Sequence, residues 1–292
     1  MNEHRFDGRV AVVTGAGRGI GRAYAHLLAA RGARVVVNDL GSSMEGDGAD
    51  AGPAGEVVAE ITAAGGSAIA DTHDVASVDG ANALVDAAVT QYGRIDALIN
   101  NAGIIQWAGF PDADAANLAR HLSVHVNGSF NTTRAAWPHF VAQSYGRVVM
   151  TTSSGVFGLP TNTSYATAKG GVIGLARSLA TSGVTYGIKV NLIAPAAYTR
   201  MASGPGAEQM QEELVAPMAA FLAHEDCPVT GEMYLAGAGR FSRIFLATTE
   251  GYVNRTATIE DVAQHWTEIN DETGYAVPAD LMAWAKQFTS HL

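Results

Sequence analysis

The stretch VAVVTGAGRGIG, residues 10–21, decides the fold of this chain. Val10–Thr14 is a short apolar run that predicts a buried strand, and a helical pattern follows as far as Ala30. Four glycines lie among residues 15–21 between them, more than an ordinary tight turn requires. Glycines let the backbone approach a pyrophosphate, and a helix N-terminus offers it free N–H groups. We therefore predict a nucleotide-binding loop whose cofactor-binding residues are Gly15, Arg18, Gly19, Ile20 and Gly21.

An acidic residue follows the second predicted strand at the distance that a dinucleotide site requires. Residues 33–38 form that strand, and Asp39 ends it about 20 positions beyond the glycine loop. A carboxylate there can accept hydrogen bonds from the adenosine ribose hydroxyls, and it would repel a 2′-phosphate. Arg18, inside the loop, argues mildly the other way because it could meet such a phosphate. The balance favours NAD over NADP as the cofactor.

Strand and helix patterns alternate along the rest of the chain. Because each strand is followed by a helix, the sheet should be parallel with right-handed crossovers. The predicted fold class is therefore α/β, a doubly wound (Rossmann) parallel seven-stranded sheet with helices on both faces. The further strands are predicted at residues 67–73, 95–99, 148–152, 189–193 and 232–235, and the further helices at 57–64, 78–92, 112–136, 164–179 and 208–223.

Polar residues at successive strand ends indicate a shared ligand. Ligands of parallel sheets bind at the carboxyl ends of the strands, where Asp39 also lies. The glycine-rich residues 41–55 form a long loop after Asp39, either a flap over the adenosine end or a surface insertion. Asp74 and Asn101 lie at the next two strand ends and are predicted cofactor contacts, and the family motifs quoted below add Val75, Ala102 and Gly103.

Tyr165 and Lys169 are four residues apart, which places both side chains on one face of a helix. A lysine ammonium beside a phenol favours the phenolate, so we expect the pKa of Tyr165 to be lowered toward the working pH. Tyr165 would then serve as a general acid/base on a carbinol oxygen. Because the same spacing is common in solvated helices, the surrounding motifs decide its meaning.

The motifs together resemble those of the short-chain dehydrogenase/reductase family. The resemblance covers residues 9 to about 239 and rests on TGAGRGIG (14–21), Asp74-Val75, NNAG (100–103), Asn127, the region of Ser153 and YATAK (165–169).

This resemblance implies a catalytic tetrad. Tyr165 would exchange a proton with the substrate, and Lys169 would hold the nicotinamide ribose and lower the phenol pKa. Ser153 would orient the substrate oxygen, and Asn127 would hold a water molecule in a proton relay. Hydride would pass between the substrate carbon and nicotinamide C4.

Two positions depart from the family pattern. The family usually has Pro-Gly after the sixth strand, whereas this chain has Pro195-Ala196, followed by Thr199, which matches the family's contact to the nicotinamide carboxamide. Counting forward from the fifth strand identifies Ser153 as the catalytic hydroxyl, and counting back from the tyrosine identifies Thr152. We choose Ser153, because a strand is rigid and a loop absorbs a deletion more easily.

A closer likeness is to the hydroxyacyl-CoA dehydrogenase unit of peroxisomal multifunctional β-oxidation enzymes. It rests on VVVNDLG (35–41), TRAAWPH (133–139), YGRVVMT (145–151) and AGAG (236–239). This likeness implies NAD and (3R)-hydroxyacyl-CoA thioesters. The CoA phosphates would need cations, for which Arg200, Arg240 and Arg243 are the candidates.

Charge and cysteine content exclude several classes of protein. The net charge is -10 and there is no basic run, so binding to nucleic acid or to an anionic membrane has no electrostatic support. The single cysteine, Cys227, excludes an internal disulfide and a cysteine metal cluster, and no metal site is predicted. This composition fits a reducing cytoplasm. The first apolar run is too short for a signal sequence or a membrane span.

Residues 1–239 are predicted to form an NAD-binding dehydrogenase domain that includes the catalytic site, and residues 240–292 a helical extension of the same domain. The extension could cap the substrate mouth, contact another subunit or pack on its own domain. A homo-oligomer, dimer or tetramer, is expected through helices 112–136 and 164–179, the second of which contains glycines suited to close contact.

The sequence thus predicts a cytoplasmic NAD-dependent oxidoreductase that interconverts a small-molecule secondary alcohol and a ketone, with a 3-hydroxyacyl-CoA as a candidate substrate. One alternative is a dehydrogenase of a steroid-like or other hydrophobic alcohol. The other is a non-catalytic NAD(H)-sensing protein, which would gain nothing from an intact Tyr165/Lys169 pair.

Overall fold

One eight-stranded sheet is the centre of the molecule, in the order β3-β2-β1-β4-β5-β6-β7-β8. In the computed structural model, which describes residues 3–199 and 207–291, β1 to β7 pair in parallel. The strands are β1 (Val10–Thr14), β2 (Arg34–Asn38), β3 (Ser67–Asp71), β4 (Ala97–Asn100), β5 (Gly146–Thr151), β6 (Ile188–Pro195), β7 (Met233–Gly237) and β8 (Arg240–Ile244).

The central strands are buried on both faces. Every residue of β1, β4 and β5 is buried, and Val12 of β1 pairs with Val36 on one side and Leu98 on the other. Strands covered by helices on both sides contain near-continuous apolar runs, which explains the VAVVT pattern. Because the ladders are parallel, the carboxyl ends of the strands reach one edge of the sheet, where the cofactor contacts were predicted.

Helices form two groups around the sheet. Helix α1 packs against α2 and α7, while α3 packs against α5, and α6 packs against α4. The helices of this part are α1 (Gly19–Ala30), α2 (Gly52–Ala63), α3 (Val78–Tyr92), α4 (Ala115–His121), α5 (Gly128–Gln143), α6 (Thr163–Gly183) and α7 (Ala216–Ala223), with 3₁₀ turns at Ser154–Phe157, Val184–Tyr186, Ala207–Gln209 and Glu212–Leu214.

The long helix predicted at residues 112–136 is interrupted. Between α4 and α5 the chain forms a π-helical turn, Leu122–Asn127. A π turn contains more residues than an α turn, so it changes which side chains face the sheet. This change decides which polar residue of the segment reaches the cleft described below.

The predicted α/β doubly wound fold is confirmed, with one strand more than predicted. Strand β8 follows β7 after Ala238 and Gly239, whose φ angles of 49° and 73° are typical of a two-residue hairpin turn. Its sequence, RFSRI, is short and half exposed, so it lacks the apolar run by which the other strands were recognised.

Contacts within the chain divide it into two compact units, residues 1–243 and 244–292. The second unit contains α8 (Ile259–Gln264), α9 (Trp266–Ile269) and α10 (Leu281–Phe288). Helix α8 begins with a reciprocal capping box between Thr258 and Asp261. None of the residues in these three helices is buried.

Across residues 3–199 and 207–291, the chain forms no helix with both the length and the apolar character that a bilayer span requires.

Candidate active site

One cleft of about 1150 Å³ in the first unit brings the predicted residues together. It is lined by the glycine loop, by residues that follow β2, β3, β4, β5 and β6, and by the start of α6. Asn127 is the one predicted site residue that does not line it. The predicted residues that do are Gly15, Arg18, Gly19, Ile20, Gly21, Asp39, Asp74, Val75, Asn101, Ala102, Gly103, Ser153, Tyr165, Lys169 and Thr199.

Two glycines of the loop occupy positions where no other residue fits. Gly15 has a φ of 62°, and a Cβ atom there would lie 2.8 Å from Ala102 Cα. A Cβ atom on Gly21 would lie 2.2 Å from the Gly15 carbonyl oxygen. The loop therefore packs directly on the backbone that follows β4, with nothing between its own backbone and the cleft.

The N-terminus of α1 is suited to an anion. Arg18 at the N-cap position is extended and makes no side-chain capping bond, and the first turn contains no acidic residue. The first N–H groups of a helix have no intrahelical partner, and the helix dipole places positive potential there. The diphosphate of a dinucleotide fits this end of the cleft.

Asp39 is held rigidly at the end of β2. Its Oδ2 atom accepts a hydrogen bond from the Gly17 N–H at 2.8 Å, and its Oδ1 atom accepts one from the Gly41 N–H at 2.7 Å. Each carboxylate oxygen can accept a further hydrogen bond. The geometry is therefore compatible with ribose hydroxyls at Asp39, as predicted.

Asn101 links the two halves of the nucleotide end. Its Nδ2 atom donates to the carbonyl oxygens of Thr14 and Gly15, both at 3.0 Å. The Thr14 hydroxyl in turn accepts hydrogen bonds from the N–H groups of Asn101 and Ala102, both at 3.0 Å. Asn101 thus fixes the glycine loop against the end of β4.

The Pro195-Ala196 departure is accommodated on the neighbouring strand. The Ala196 N–H donates to the Ala236 carbonyl at 2.8 Å, and a Cβ atom on Gly237 would lie 1.9 Å from the Ala196 oxygen. Because residue 237 is a glycine, the backbone at Ala196 can approach β7 closely. Thr199 then lies at the cleft as predicted.

Tyr165 and Lys169 lie together near the start of α6. The Lys169 Nζ atom is 5.6 Å from the centroid of the Tyr165 ring and donates to the Thr151 carbonyl at 2.8 Å. Burial lowers the pKa of Lys169 to about 7. Burial also raises the pKa of Tyr165, and a hydrogen bond with Ser153 opposes that rise only in part.

The expected lowering of the Tyr165 pKa is therefore wrong for the protein without cofactor. Its physical reason is burial of the phenol, which disfavours the phenolate, and Lys169, whose own pKa is lowered by burial, does not reverse that effect. Tyr165 keeps its proton in this state. The protonated Tyr165 can donate a proton, and it must lose that proton before it can accept one.

The structure separates the two candidates for the catalytic hydroxyl. The Thr152 hydroxyl donates to the Lys169 carbonyl at 2.9 Å and is fully buried against α6. The Ser153 side chain lines the cleft, hydrogen-bonds with Tyr165 and accepts from the Gly155 N–H at 3.0 Å. Ser153 is therefore the hydroxyl beside Tyr165.

The structure does not bring Asn127 to the site. Asn127 ends the π-helical turn with its side chain exposed. His125, two residues earlier, is 2% exposed and lines the cleft. Its ring lies 5.4 Å from the Tyr165 ring, at 90°. An α-helical reading of the sequence could not anticipate this, because the π turn changes the direction of each side chain.

Three polar atoms of cleft residues are buried and have no hydrogen-bond partner among the described residues: Thr151 Oγ1, His125 Nδ1 and Asn162 Oδ1. An unpaired buried polar group costs about 1–3 kcal/mol, so such groups concentrate where a ligand completes them. None of the three atoms was predicted from the sequence to lie at the site. Of the three residues, Asn162 had a sequence signal, because it lies three residues before the Tyr165 motif.

The glycine-rich loop lies along the cleft as residues 41–51, because residues 52–55 of the predicted loop form the first turn of α2. Its Ser42 and Gly46 line the cleft, and its Met44 carbonyl accepts from the Ile105 N–H at 3.0 Å. Asp47 forms an ion pair with Arg120. Of the two alternatives for this loop, the flap agrees with these contacts.

Of the cations predicted for a CoA phosphate, Arg240 and Arg243 are not at the cleft. Arg240 and Arg243 lie on β8, where Arg243 pairs with Glu232 at 2.7 Å, and Arg200 lies outside the described residues. In the described part of the chain, the arginines that line the cleft are Arg18 and Arg120.

Comparisons with known proteins identify the same kind of molecule. The short chain dehydrogenase family model matches residues 9–209. A putative short-chain type dehydrogenase/reductase of Mycobacterium tuberculosis is 43% identical over 272 residues, covering 91% of this chain and 95% of that protein. The peroxisomal multifunctional enzyme type 2 of Drosophila melanogaster is 41% identical over 277 residues, covering 91% of this chain but 46% of that enzyme.

A solved structure agrees with the sequence comparisons. The crystal structure of a short chain dehydrogenase from Mycobacterium avium superposes with a TM-score of 0.81 at 35% identity, covering 90% of this chain and 95% of that one. The chain therefore belongs to the short-chain dehydrogenase family, and it is an oxidoreductase. The predicted likeness to the peroxisomal multifunctional enzymes is also confirmed, although the chain spans less than half of the Drosophila enzyme.

Proposed function

We propose that the protein is an NAD-dependent enzyme that interconverts a secondary alcohol and a ketone, with a 3-hydroxyacyl-CoA thioester as the substrate. The observation that carries the proposal is the Tyr165–Ser153 pair in the same cleft as the open N-terminus of α1 and Asp39. Oxidation of an alcohol by a dinucleotide needs an acid/base group beside a dinucleotide site.

The preference for NAD rests on Asp39. Its carboxylate is fixed by the Gly17 and Gly41 N–H groups, so it cannot turn away from a ribose 2′-phosphate. Burying a second anion beside it would cost free energy through like-charge repulsion. Arg18 has a side chain that reaches the Ser42 carbonyl at 3.5 Å and remains the argument for NADP.

The residues of the cleft fit the chemistry. A bound nicotinamide ring supplies the hydride acceptor for oxidation of the alcohol. Tyr165 exchanges a proton with the substrate oxygen, and the Ser153 hydroxyl holds that oxygen by a hydrogen bond. Lys169, with its pKa lowered to about 7, can take up or release a proton at the working pH. The cofactor contacts would come from the glycine loop, Asp39, the residues after β3 and β4, and Thr199.

An apolar wall beside the catalytic groups supports an acyl substrate. Ile104 and Ile105 are 3% and 4% exposed, and Trp107 and Leu159 line the same cleft while about half exposed. Such a wall suits an aliphatic chain. Arg120 gives the cleft one cation that could meet a CoA phosphate. The likeness to the peroxisomal multifunctional enzymes points in the same direction.

A steroid-like or other hydrophobic alcohol is the second candidate, because the same apolar wall would accept it and Arg120 is already paired with Asp47. A non-catalytic NAD(H) sensor is disfavoured, since the cleft contains a buried acid/base pair that sensing does not need.

We further propose that the protein is a homo-oligomer. We also propose a cytoplasmic location, although the name of the Drosophila relative contains the word peroxisomal, which argues against it.

The test begins with thermal unfolding of the protein in NADH and in NADPH at equal concentration, because a ligand of the native state raises Tm. NADH should give the larger rise. Turnover of racemic 3-hydroxybutyryl-CoA is then compared with turnover of a steroid alcohol, each with NAD. Faster oxidation of the steroid would favour a hydrophobic alcohol over the acyl-CoA as the substrate. Stabilisation by NADH with no turnover of any alcohol would favour the NAD(H)-sensing function.

A further inference from the structure

A carboxylate from a distant part of the chain lies at the end of the cleft that suits a diphosphate. Glu212 begins the 3₁₀ turn Glu212–Leu214, which packs against α1, and its side chain lines the cleft. Its Oε1 atom lies 3.6 Å from the position that a Cβ atom on Gly19 would occupy, and Thr199 Cγ2 lies 3.8 Å from the same position. Because Gly19 is the first residue of α1, the carboxylate is next to the N-terminus of that helix.

This carboxylate has no partner of opposite charge. Across residues 3–199 and 207–291, the Glu212 side chain takes part in no hydrogen bond and no ion pair. Burial and the charge of Glu213 raise the pKa of Glu212, and the charge of Arg22 opposes that rise only in part. Arg22 is itself paired with Glu60 at 2.8 Å. The negative charge of Glu212 in the cleft is therefore not neutralised by a direct contact.

The helix end explains why the protein tolerates such a charge. The first turn of α1 contains no acidic residue, and Arg18 at its N-cap makes no side-chain capping bond. The first N–H groups of a helix have no intrahelical partner, and the helix dipole attracts negative charge to them. In the protein without cofactor, Glu212 supplies the nearby negative charge that the helix itself lacks.

A bound diphosphate would use the same positive potential. Negative charges at short range repel each other, and a partly buried site screens that repulsion less than bulk water does. Binding of a dinucleotide must therefore either move the Glu212 carboxylate away from α1 or keep two anions close together. In both cases the affinity is lower than the helix end and the glycine loop would give without Glu212.

We propose that Glu212 is a competitor of the cofactor diphosphate within the protein itself: its carboxylate stabilises the empty cleft, weakens dinucleotide binding and speeds dinucleotide release. No covalent bond changes in this step. A dehydrogenase has to release its dinucleotide after every turnover, so a repulsive charge at this position favours exchange over retention. The inference rests on the proposed function, which requires a dinucleotide in the cleft.

Two variants and three ligands test the role of the charge. Glu212→Gln removes the charge and keeps the size of the side chain. Glu213→Gln is the matched control, because it removes one charge from the same turn at an exposed position that does not line the cleft. The ligands are NADH, ADP-ribose, which contains the same diphosphate, and adenosine, which contains none. Calorimetry gives the dissociation constants of NADH and ADP-ribose, and displacement of NADH gives that of adenosine.

Competition predicts effects of opposite sign in the free and the bound protein. Glu212→Gln should bind NADH and ADP-ribose roughly 10-fold more tightly than the wild type, with no gain for adenosine. The gain should shrink at high salt, because the carboxylate is partly exposed. NADH should also dissociate more slowly, whereas the Tm of the free protein should fall because the helix end loses its negative charge. Glu213→Gln should match the wild type in each measurement.

Unchanged or weaker NADH binding in Glu212→Gln would overturn the proposal. An equal gain for adenosine, or an equal gain in Glu213→Gln, would overturn it as well, since neither depends on the diphosphate and the charge of Glu212. If the wild type bound NADH but oxidised no alcohol, the proposed function would fail, while the dissociation constants would still decide the role of Glu212. Normal oxidation with unchanged binding in Glu212→Gln would leave the proposed function and remove this inference alone.

Discussion

Tyr165 shows how one residue's chemistry depends on the charge of its neighbour. Its spacing from Lys169 suggested a low phenol pKa, yet burial acts on both groups in opposite directions. A buried amine loses its proton more easily, and a buried phenol keeps its proton more firmly. Near neutral pH the phenol therefore holds its proton, while the amine is only partly protonated.

We predict that Tyr165→Phe abolishes turnover and preserves cofactor binding. The substitution removes the hydroxyl that exchanges the proton and leaves the ring that packs on His125. The rate should fall by at least about 100-fold. NADH should raise Tm as much as in the wild type. Tyr186→Phe is the control, because Tyr186 is 43% exposed and does not line the cleft. Turnover of Tyr165→Phe at the wild-type rate would show that another group exchanges the proton.

At the scale of elements, α4 and the π-helical turn hold the loop after β4. The His121 Nε2 atom accepts from the Gln106 N–H at 3.2 Å, while His125 Nε2 donates to Ile104. His121 is fully buried, and burial together with Lys169 lowers its pKa. A proton on His121 Nε2 would replace an acceptor by a donor and break the bond to Gln106.

These histidines make stability dependent on pH. Their folded-state pKa values lie below the usual 6.5, so below that pH the unfolded chain binds more protons than the folded one. The free energy of unfolding should fall as pH drops below about 6.5, by up to about 1.4 kcal/mol per pH unit for each histidine, and should level off below the folded-state values.

Urea unfolding at pH 5.5 and 7.5 measures this dependence. His121→Gln should reduce the difference in stability between the two pH values, because a neutral amide replaces one of the two imidazoles whose pKa is lowered by burial. His291→Gln, at an exposed position, is the control and should leave the difference unchanged. Equal stability of the wild type at both pH values would contradict the argument.

At the scale of the whole molecule, the sequence predicted the sheet well because its strands are buried on both faces. Continuous apolar runs such as Val10–Thr14 need no knowledge of neighbours to be recognised. Strand β8 lacks such a run and was missed. The cleft residues around the glycine loop were predicted because glycines and strand-end carboxylates are local signals.

The catalytic end was harder, since it depends on packing between distant elements. Whether Ser153 or Thr152 faces Tyr165 is decided by the bond from Thr152 to the α6 backbone. Whether residue 125 or 127 faces the cleft is decided by a π turn that periodicity does not reveal. Whether residues 240–292 form one domain with the rest stays a prediction.

The predicted oligomer can be tested on α6. Gly174 of that helix is exposed, and a side chain there would meet open space within one subunit. Gly174→Arg should therefore fold normally but disrupt a helix-to-helix contact between subunits. Gly55→Arg is the matched control, an exposed glycine of α2 with equally open space.

Light scattering after size exclusion gives the mass. The wild type should show two or four copies of the 30.3 kDa chain, Gly174→Arg a smaller mass and Gly55→Arg the wild-type mass. A wild type at 30.3 kDa would exclude the oligomer, and an unchanged mass in Gly174→Arg would move the interface away from this part of α6.

The loop of residues 41–51 has a consequence for the timing of the reaction. It starts beside Asp39, and its Met44 carbonyl is bound to Ile105 in the wall of the substrate end. One segment therefore borders both the dinucleotide end and the substrate end of the cleft. We expect a compulsory sequence in which the dinucleotide enters first and departs last. In product-inhibition experiments, NADH should compete with NAD, and no other product should compete with either substrate.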